Sequence, residues 1–140
     1  MSEVEKLTNP EDLKQYSNLS RYCFFDREGW SDRMFRPESF RGTVYGCKEK
    51  GQLMSGVISH NMAFSYWGTG GIASSGIGCV VSDPAVRNEG QIREIMTGLL
   101  KDNYGDGKIL SFLYPFSYRF YNKFGYGTLG EGVMYTFSPP

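Results

Sequence analysis

The chain has 140 residues and a net charge of zero, with 15 basic and 15 acidic side chains. This length is enough for one domain with a sizeable hydrophobic core. The balanced charge argues against a general nucleic-acid-binding surface, which carries a strong basic excess, and no apolar run is long enough to span a bilayer.

Simple features of the sequence also indicate cellular location and redox state. The first six residues do not resemble a signal peptide, so we expect a cytoplasmic protein. The cysteines, Cys23, Cys47 and Cys79, are odd in number, and their spacing matches no metal site. We therefore expect reduced, mostly buried thiols and no bound metal.

The first predicted element is a helix over residues 10–24. Asn9 can cap it, Pro10 suits the first helical position, and the acidic residues that follow favour the positive end of a helix. Apolar side chains then recur on one face. Residues 25–40 have no clean period and combine apolar with charged groups, which predicts a loop with a short helix.

A β-hairpin is predicted next. Residues 43–48 and 52–60 have strand character, and Lys50-Gly51 forms the turn between them. Residues 62–67 either continue the second strand or form another one. The glycine-rich segment 68–71 then turns the chain into the following strand.

The stretch from Gly76 to Tyr104 predicts a strand, a short loop and a helix. Residues 77–82 are apolar and β-branched, as in a buried strand. Asp83-Pro84 stops this strand, because proline has no N–H to donate to a sheet. From Gln91 onwards the apolar residues recur at helical spacing.

The loop before this helix carries Arg87 and Gly90 in an R-x-x-G arrangement. A helix start has unpaired N–H groups and a positive dipole end, and a glycine lets a ligand approach the backbone. With Arg87 and Arg93 nearby, the loop could cradle a phosphate or pyrophosphate. The alternative is a tight turn with a flexible glycine and two solvated arginines, and the pattern alone favours neither.

The C-terminal third predicts a strand, a short helix and further strands. Residues 108–114 are nearly all apolar, as in a strand covered on both faces. Phenylalanines four residues apart over 116–124 mark a short helix, which Gly125 stops. One or two strands are expected over 127–137. Together these elements predict a mixed sheet with helices on both faces.

Two stretches resemble a known family. Val-Val-Ser-Asp-Pro-Ala-Val-Arg-Asn-Glu-Gly-Gln-Ile-Arg at 80–93 resembles the acetyl-CoA loop of the GNAT superfamily of N-acetyltransferases. Leu-Tyr-Pro-Phe-Ser-Tyr-Arg-Phe-Tyr-Asn-Lys-Phe-Gly-Tyr-Gly at 113–127 resembles the Eis-like (enhanced intracellular survival) branch. The resemblance implies an α/β (α+β) GNAT fold over residues 1–137, with a mixed, mostly antiparallel central sheet flanked by helices. It also implies an acyl-CoA site at splayed central strands, and we expect residues 138–140 to form a terminal tail or truncated linker.

The resemblance also implies site residues and acetyl-CoA as the cosubstrate. The pantetheine arm would hydrogen-bond like an added strand to the backbone of Val80, Val81 and Ser82. The pyrophosphate is wrapped or flanked by Arg87, Asn88, Glu89, Gly90, Gln91, Ile92 and Arg93. The branch uses a tyrosine as general acid, and the resemblance implies that Tyr121 would protonate the departing thiolate. Acidic and aromatic residues line the acceptor pocket, with Phe24, Phe25, Asp26, Glu28 and Trp30 as candidates.

Several assignments stay open on the residues alone. Tyr121 also suits an ordinary packed aromatic residue of a short helix. The candidate bases are Asp26, Glu28 and His60. Of these, we expect His60 to lie at the end of a strand. Asn88 and Glu89 stand where relatives carry basic residues, and a negative Glu89 beside a pyrophosphate would weaken binding. Relatives also carry further domains that this sequence does not contain.

The leading hypothesis is an acetyl-CoA-dependent N-acetyltransferase. Its acceptor is a primary amine on a small molecule, an aminoglycoside-like compound or a peptide lysine, with no nucleic-acid or membrane partner. The alternative is a non-catalytic acyl-CoA-binding or assembly module, the N-terminal part of a larger Eis-like protein. Homo-oligomerisation is left open by the sequence. A generic nucleotide-binding domain fits less well, because G-x-G-x-x-G and P-loop patterns are missing.

Overall fold

The structure is a computed structural model that describes residues 3–25, 41–68 and 70–132. The predicted loop and short helix over 25–40 therefore lie almost entirely outside the described residues. In chain order the elements are β1 (Glu3–Leu7), α1 (Pro10–Phe24), β2 (Gly42–Glu49), β3 (Gln52–Phe64), β4 (Ile72–Ser82), a 3-10 turn (Pro84–Val86), α2 (Gln91–Gly105), β5 (Leu110–Leu113) and α3 (Tyr118–Asn122).

The strands form one mixed sheet in the order β1-β2-β3-β4-β5. The first four strands are antiparallel to their neighbours, and β5 runs parallel to β4. Successive residues of a strand point to opposite faces, and the core divides accordingly. Ile58 packs with the α1 residues Tyr16 and Leu19, whereas Val57 packs with the α2 residue Ile95. The predicted mixed sheet with helices on both faces is confirmed.

Helix α1 has the boundaries that the sequence predicts. The Asn9 side chain accepts a hydrogen bond from the backbone N–H of Asp12 at 2.8 Å, and Pro10 occupies the first turn. The helix ends at Phe24, and the next residue, Phe25, adopts a left-handed conformation with φ 52°. These caps satisfy backbone groups that would otherwise lack partners at the two helix ends.

The hairpin is also as predicted, but its second strand is longer. Lys50 and Gly51 both have positive φ values, 50° and 84°, as the central residues of a twisted two-residue hairpin turn do. Strand β3 continues to Phe64. His60 therefore lies inside a strand, and its prediction as a strand end is wrong.

Other boundaries differ from the sequence-based expectation. Strand β1 was not predicted, and β5 is shorter than residues 108–114, with all of its residues only half-buried. The last helix begins at Tyr118 because the Ser117 side chain accepts from the N–H of Phe120 and caps it. Residues 127–132 form no strand, and 133–137 lie outside the described residues. No described helix is both long and apolar enough to cross a membrane.

Candidate active site

The sheet opens between β4 and β5. The two strands pair only where Ser74–Ile77 lie beside Leu110–Leu113, although β4 continues to Ser82. The chain after β5 soon reaches Pro115, which has no N–H for a ladder. Within the described ranges, the last five residues of β4 have no strand partner on this side. Their backbone is placed to hydrogen-bond with an extended ligand.

A β-bulge lies in the same half of β4. Ile58 pairs with Gly78 and Gly56 pairs with Val81, so Cys79 and Val80 both stand opposite a single residue of β3. Cys79 has φ 44°, in the left-handed region. A bulge disrupts the ladder locally and turns backbone groups away from their neighbours. The bulge therefore points backbone groups of the open edge in a direction that they would not have in a regular strand.

The loop after β4 is fixed at its beginning and open at its end. The backbone N–H of Asp83 donates to the Met54 carbonyl at 2.7 Å, and the Asp83 carboxylate accepts from the N–H of Ala85 at 2.9 Å. Gly90 then caps α2 with φ 89° and provides no side-chain hydrogen bond. The first N–H groups of α2 are left without a side-chain cap, which favours an anionic ligand there.

Gln91 has a different environment from its neighbours in this loop. Its side chain is buried, and its Nε2 donates to the Glu49 carboxylate at 2.7 Å. Its Oε1 accepts from the Ser55 hydroxyl at 2.7 Å, and Ser55 also lies 3.0 Å from the Ser82 hydroxyl. The side chain thus ties the start of α2 to β2 and β3. Its polar atoms are engaged by the protein, and its backbone remains available to a ligand.

These features meet in a groove of about 590 Å³. Most predicted cosubstrate residues line it: Val80, Val81, Ser82, Arg87, Asn88, Gly90, Gln91, Ile92 and Arg93. Glu89 is exposed and does not line it. Further lining residues, which the sequence did not single out, are Cys23, Val86, Phe116, Phe120, Lys123 and Phe124. The spacing of the three phenylalanines predicted a helix face, but nothing in it indicated that this face borders a groove.

The predicted acceptor residues are only partly described. Phe24 lines the groove, whereas Phe25 is exposed and does not. Asp26, Glu28 and Trp30 lie outside the described residues. Among the described residues, no group of three or more His, Cys, Asp and Glu side chains is arranged to hold a metal ion.

Tyr121 is packed behind the aromatic wall of the groove. It is only 2% exposed, and its ring centroid lies 5.3 Å from that of Phe116 and 5.1 Å from that of Phe120. Tyr126 packs against it from another side. Burial, with a smaller contribution from Tyr126, raises the pKa of Tyr121 to about 12. The phenol is therefore protonated at neutral pH, and it contacts two rings that line the groove.

His60 lies on β3 close to the bulge. Its Nε2 is 3.5 Å from the position that a Cβ on Gly78 would occupy, so this glycine makes room for the imidazole. Burial lowers the pKa of His60, which favours the neutral ring at pH 7. The imidazole does not line the groove described above.

The opened mixed sheet, the bulged strand and the uncapped helix start define an α/β fold with a ligand-sized groove at its open edge. The model of the acetyltransferase (GNAT) domain family matches residues 3–129, and the chain belongs to that family. No curated protein matches the chain.

Solved structures are similar to the chain over most of its length. A probable N-acyltransferase from Enterococcus faecalis is 31% identical, with a TM-score of 0.80 over 89% of this chain and 32% of that one. Eis1 from Mycobacterium abscessus is 18% identical, with a TM-score of 0.77 over 91% and 31%. A predicted acetyltransferase from Clostridium acetobutylicum, solved with acetyl-CoA, is 13% identical, with a TM-score of 0.79 over 97% and 96%. The chain thus spans about a third of the first two proteins.

Proposed function

We propose that this chain is the acetyl-CoA-binding catalytic domain of an Eis-like, cytoplasmic N-acetyltransferase. The acceptor is a primary amine on a small molecule, such as an aminoglycoside-like compound, or on a lysine side chain. The observation that carries the proposal is the open edge of β4, which leads directly into the R-x-x-G loop at the start of α2. The extended pantetheine arm of acetyl-CoA would bind the open strand and its diphosphate would bind the loop, so the two features have to lie side by side.

The open strand and the charged residues of the groove suit acetyl-CoA. The unpaired half of β4 suits the amide groups of a pantetheine arm. Uncapped N–H groups follow Gly90, and Arg87, Arg93 and Lys123 add positive charge beside them. No acidic side chain lines the groove within the described part of the chain. The charged side chains that line the described groove are therefore all cationic, which favours a diphosphate.

The chain's own groups supply the remaining requirements of acetyl transfer. Bound acetyl-CoA provides a thioester whose carbonyl carbon accepts the amine nitrogen. Backbone N–H groups at the β4 bulge polarise that carbonyl and stabilise negative charge on its oxygen. Tyr121 acts as the general acid for the departing sulfur, because its phenol is protonated at neutral pH and contacts two rings that line the groove. The amine must be neutral to react, and His60, whose imidazole lies outside the groove on β3, is the described candidate for accepting its proton.

Calorimetric titration with acetyl-CoA tests the proposal directly. We expect the wild-type chain to bind with micromolar affinity. Arg87→Ala should weaken binding by roughly 5- to 20-fold, since one charge-assisted contact to phosphate is lost. Lys101→Ala is the matched control, because Lys101 is exposed on α2 but does not line the groove. No binding at millimolar acetyl-CoA, or equal effects of both substitutions, would contradict the proposal.

A second candidate function is a non-catalytic acyl-CoA-binding or assembly module. One observation favours it: the phenol proposed as the general acid belongs to a residue that is only 2% exposed. Binding with no turnover on polyamine, aminoglycoside and lysine-peptide amines would support the module. Turnover of any of these amines by the 140-residue chain would exclude it.

A further inference from the structure

We infer that Tyr16 is a positioning residue, which holds the β4 bulge in the conformation that presents its backbone N–H groups to the thioester carbonyl. The inference rests on the proposed function, and it assigns a role to a side chain that does not line the groove. It follows from the contacts that Tyr16 makes across the α1 face of the sheet.

The hydroxyl of Tyr16 reaches the bulge itself. It donates a hydrogen bond of 2.5 Å to the carbonyl of Cys79, the bulge residue with φ 44°. A non-glycine residue at such a φ costs energy unless its surroundings hold it there. A donor on the Cys79 carbonyl fixes the orientation of the peptide that links Cys79 to Val80. The N–H of Val80 belongs to the same peptide, so the hydrogen bond determines where that N–H points.

The ring of Tyr16 is fixed as firmly as its hydroxyl. Tyr16 is completely buried. A Cβ added to Gly56 would lie 2.6 Å from the Cδ2 and Cε2 atoms of the ring, so the ring packs on the bare backbone of this glycine. Gly56 pairs with Val81, the residue after the bulge. One side chain therefore touches both strands where their register shifts.

The protonation state of Tyr16 allows its hydroxyl to donate a hydrogen bond at all times. Burial, which disfavours the charged phenolate, raises its pKa well above the ordinary value. The hydroxyl thus keeps its proton at every pH at which the protein would act. Because Tyr16 belongs to α1, this helix and the open strand are locked together at the point where the ligand arm would bind.

Tyr16→Phe tests the inference with little change in volume. Tyr45→Phe is the matched control, because Tyr45 is 4% exposed and its hydroxyl donates to Asp102 at 3.1 Å on the α2 face. Each substitution deletes the hydroxyl of one buried tyrosine. Gly56→Ala is a second test, since the added methyl group displaces the Tyr16 ring and leaves the hydroxyl in the protein.

Two readouts do not require turnover. Hydrogen–deuterium exchange of the unliganded chain should quicken at residues 79–82 by roughly five- to tenfold in Tyr16→Phe and Gly56→Ala, but not in Tyr45→Phe. Infrared difference spectra of bound acetyl-CoA with a ¹³C-labelled carbonyl should show a smaller shift of the carbonyl band to low frequency in the same two variants. In turnover, kcat should fall about tenfold or more while the KM for acetyl-CoA changes little.

The outcomes separate this inference from the proposed function. If the wild-type chain binds acetyl-CoA and Tyr16→Phe matches Tyr45→Phe in exchange, carbonyl frequency and kcat, the role of Tyr16 is overturned and the proposed function stands. If the wild-type chain fails to bind acetyl-CoA, the proposed function and the positioning role are overturned together. If Tyr16→Phe and Gly56→Ala, but not Tyr45→Phe, show faster exchange, a smaller carbonyl shift and a lower kcat, the positioning role and the proposed function are both supported.

Discussion

At the scale of single residues, side chains that belong to one sequence motif have separate tasks. Arg87 and Gln91 both belong to the loop that resembles an acetyl-CoA motif. Arg87 is exposed and lines the groove, whereas the amide of Gln91 is buried among Glu49 and Ser55. Only the first is placed to meet a ligand with its side chain. Substitutions at the two positions should therefore have different effects.

Tyr121→Phe should separate chemistry from binding. If Tyr121 is the general acid, its loss should lower kcat by roughly 10²- to 10⁴-fold. The dissociation constant of acetyl-CoA, measured by calorimetry, should stay within about twofold, because Phe keeps the ring contacts with Phe116 and Phe120. An unchanged kcat would leave Tyr121 as a packing residue of the aromatic cluster.

The buried phenols predict an alkaline loss of stability. Burial raises the pKa of Tyr121 from 10.0 to about 12, so the unfolded chain releases this proton at lower pH than the folded chain. The stabilisation is complete below pH 10 and is lost as pH rises through the folded value. Urea unfolding at pH 8 to 11 should show a smaller decline for Tyr121→Phe than for the wild type. Tyr114→Phe, at a fully exposed site, should follow the wild type.

At the scale of elements, the start of α2 depends on residues far away in the sequence. Gln91 joins the helix to β2 through Glu49 and to β3 through Ser55. Ser55 in turn lies beside Ser82 at the end of β4. The hairpin and the strand that borders the groove are thus connected to the first helical turn by side-chain hydrogen bonds. We therefore expect the order of the first turn of α2 to depend on these hydrogen bonds.

Gln91→Ala should destabilise the protein by about 1–3 kcal/mol, because it removes the buried partner of the Ser55 hydroxyl. Chemical denaturation measures this loss. The control is Gln52→Ala at an exposed position of the hairpin, which should change the free energy of unfolding by less than about 0.5 kcal/mol. Equal effects at the two sites would show that the hydrogen bonds of Gln91 contribute little.

Elements with strong local signals were predictable from sequence, and those fixed by distant partners were not. Asn9-Pro10 marks a helix start and Lys50-Gly51 a tight turn by local chemistry alone. Strand β1 escaped prediction because Val4 and Leu7 pack against clusters on opposite faces of the sheet, which gives a short charged segment no obvious period. The bulge at Cys79 also escaped, because residues 77–82 have the composition of a regular strand.

At the scale of the whole molecule, ligand binding should stabilise one side of the sheet. At a free acetyl-CoA concentration 100 times its Kd, the free energy of unfolding should rise by about 2.7 kcal/mol. Hydrogen exchange should slow at the groove-lining residues 80–82, 86–88 and 90–93, and change little over the hairpin turn at Lys50-Gly51. Adenosine at the same concentration is the control, since it lacks the arm and the diphosphate. Stabilisation by adenosine alone would contradict this arrangement.

The unpaired half of β4 has a consequence beyond ligand binding. A bare row of backbone donors and acceptors is a template for any extended polypeptide, and native proteins keep such edges short or interrupt them. Here two imino acids bracket the exposed row, Pro84 just beyond β4 and Pro115 just beyond β5. Neither can extend a ladder. We therefore expect a stray strand to add over only a few residues, which should limit self-assembly of the unliganded protein through this edge.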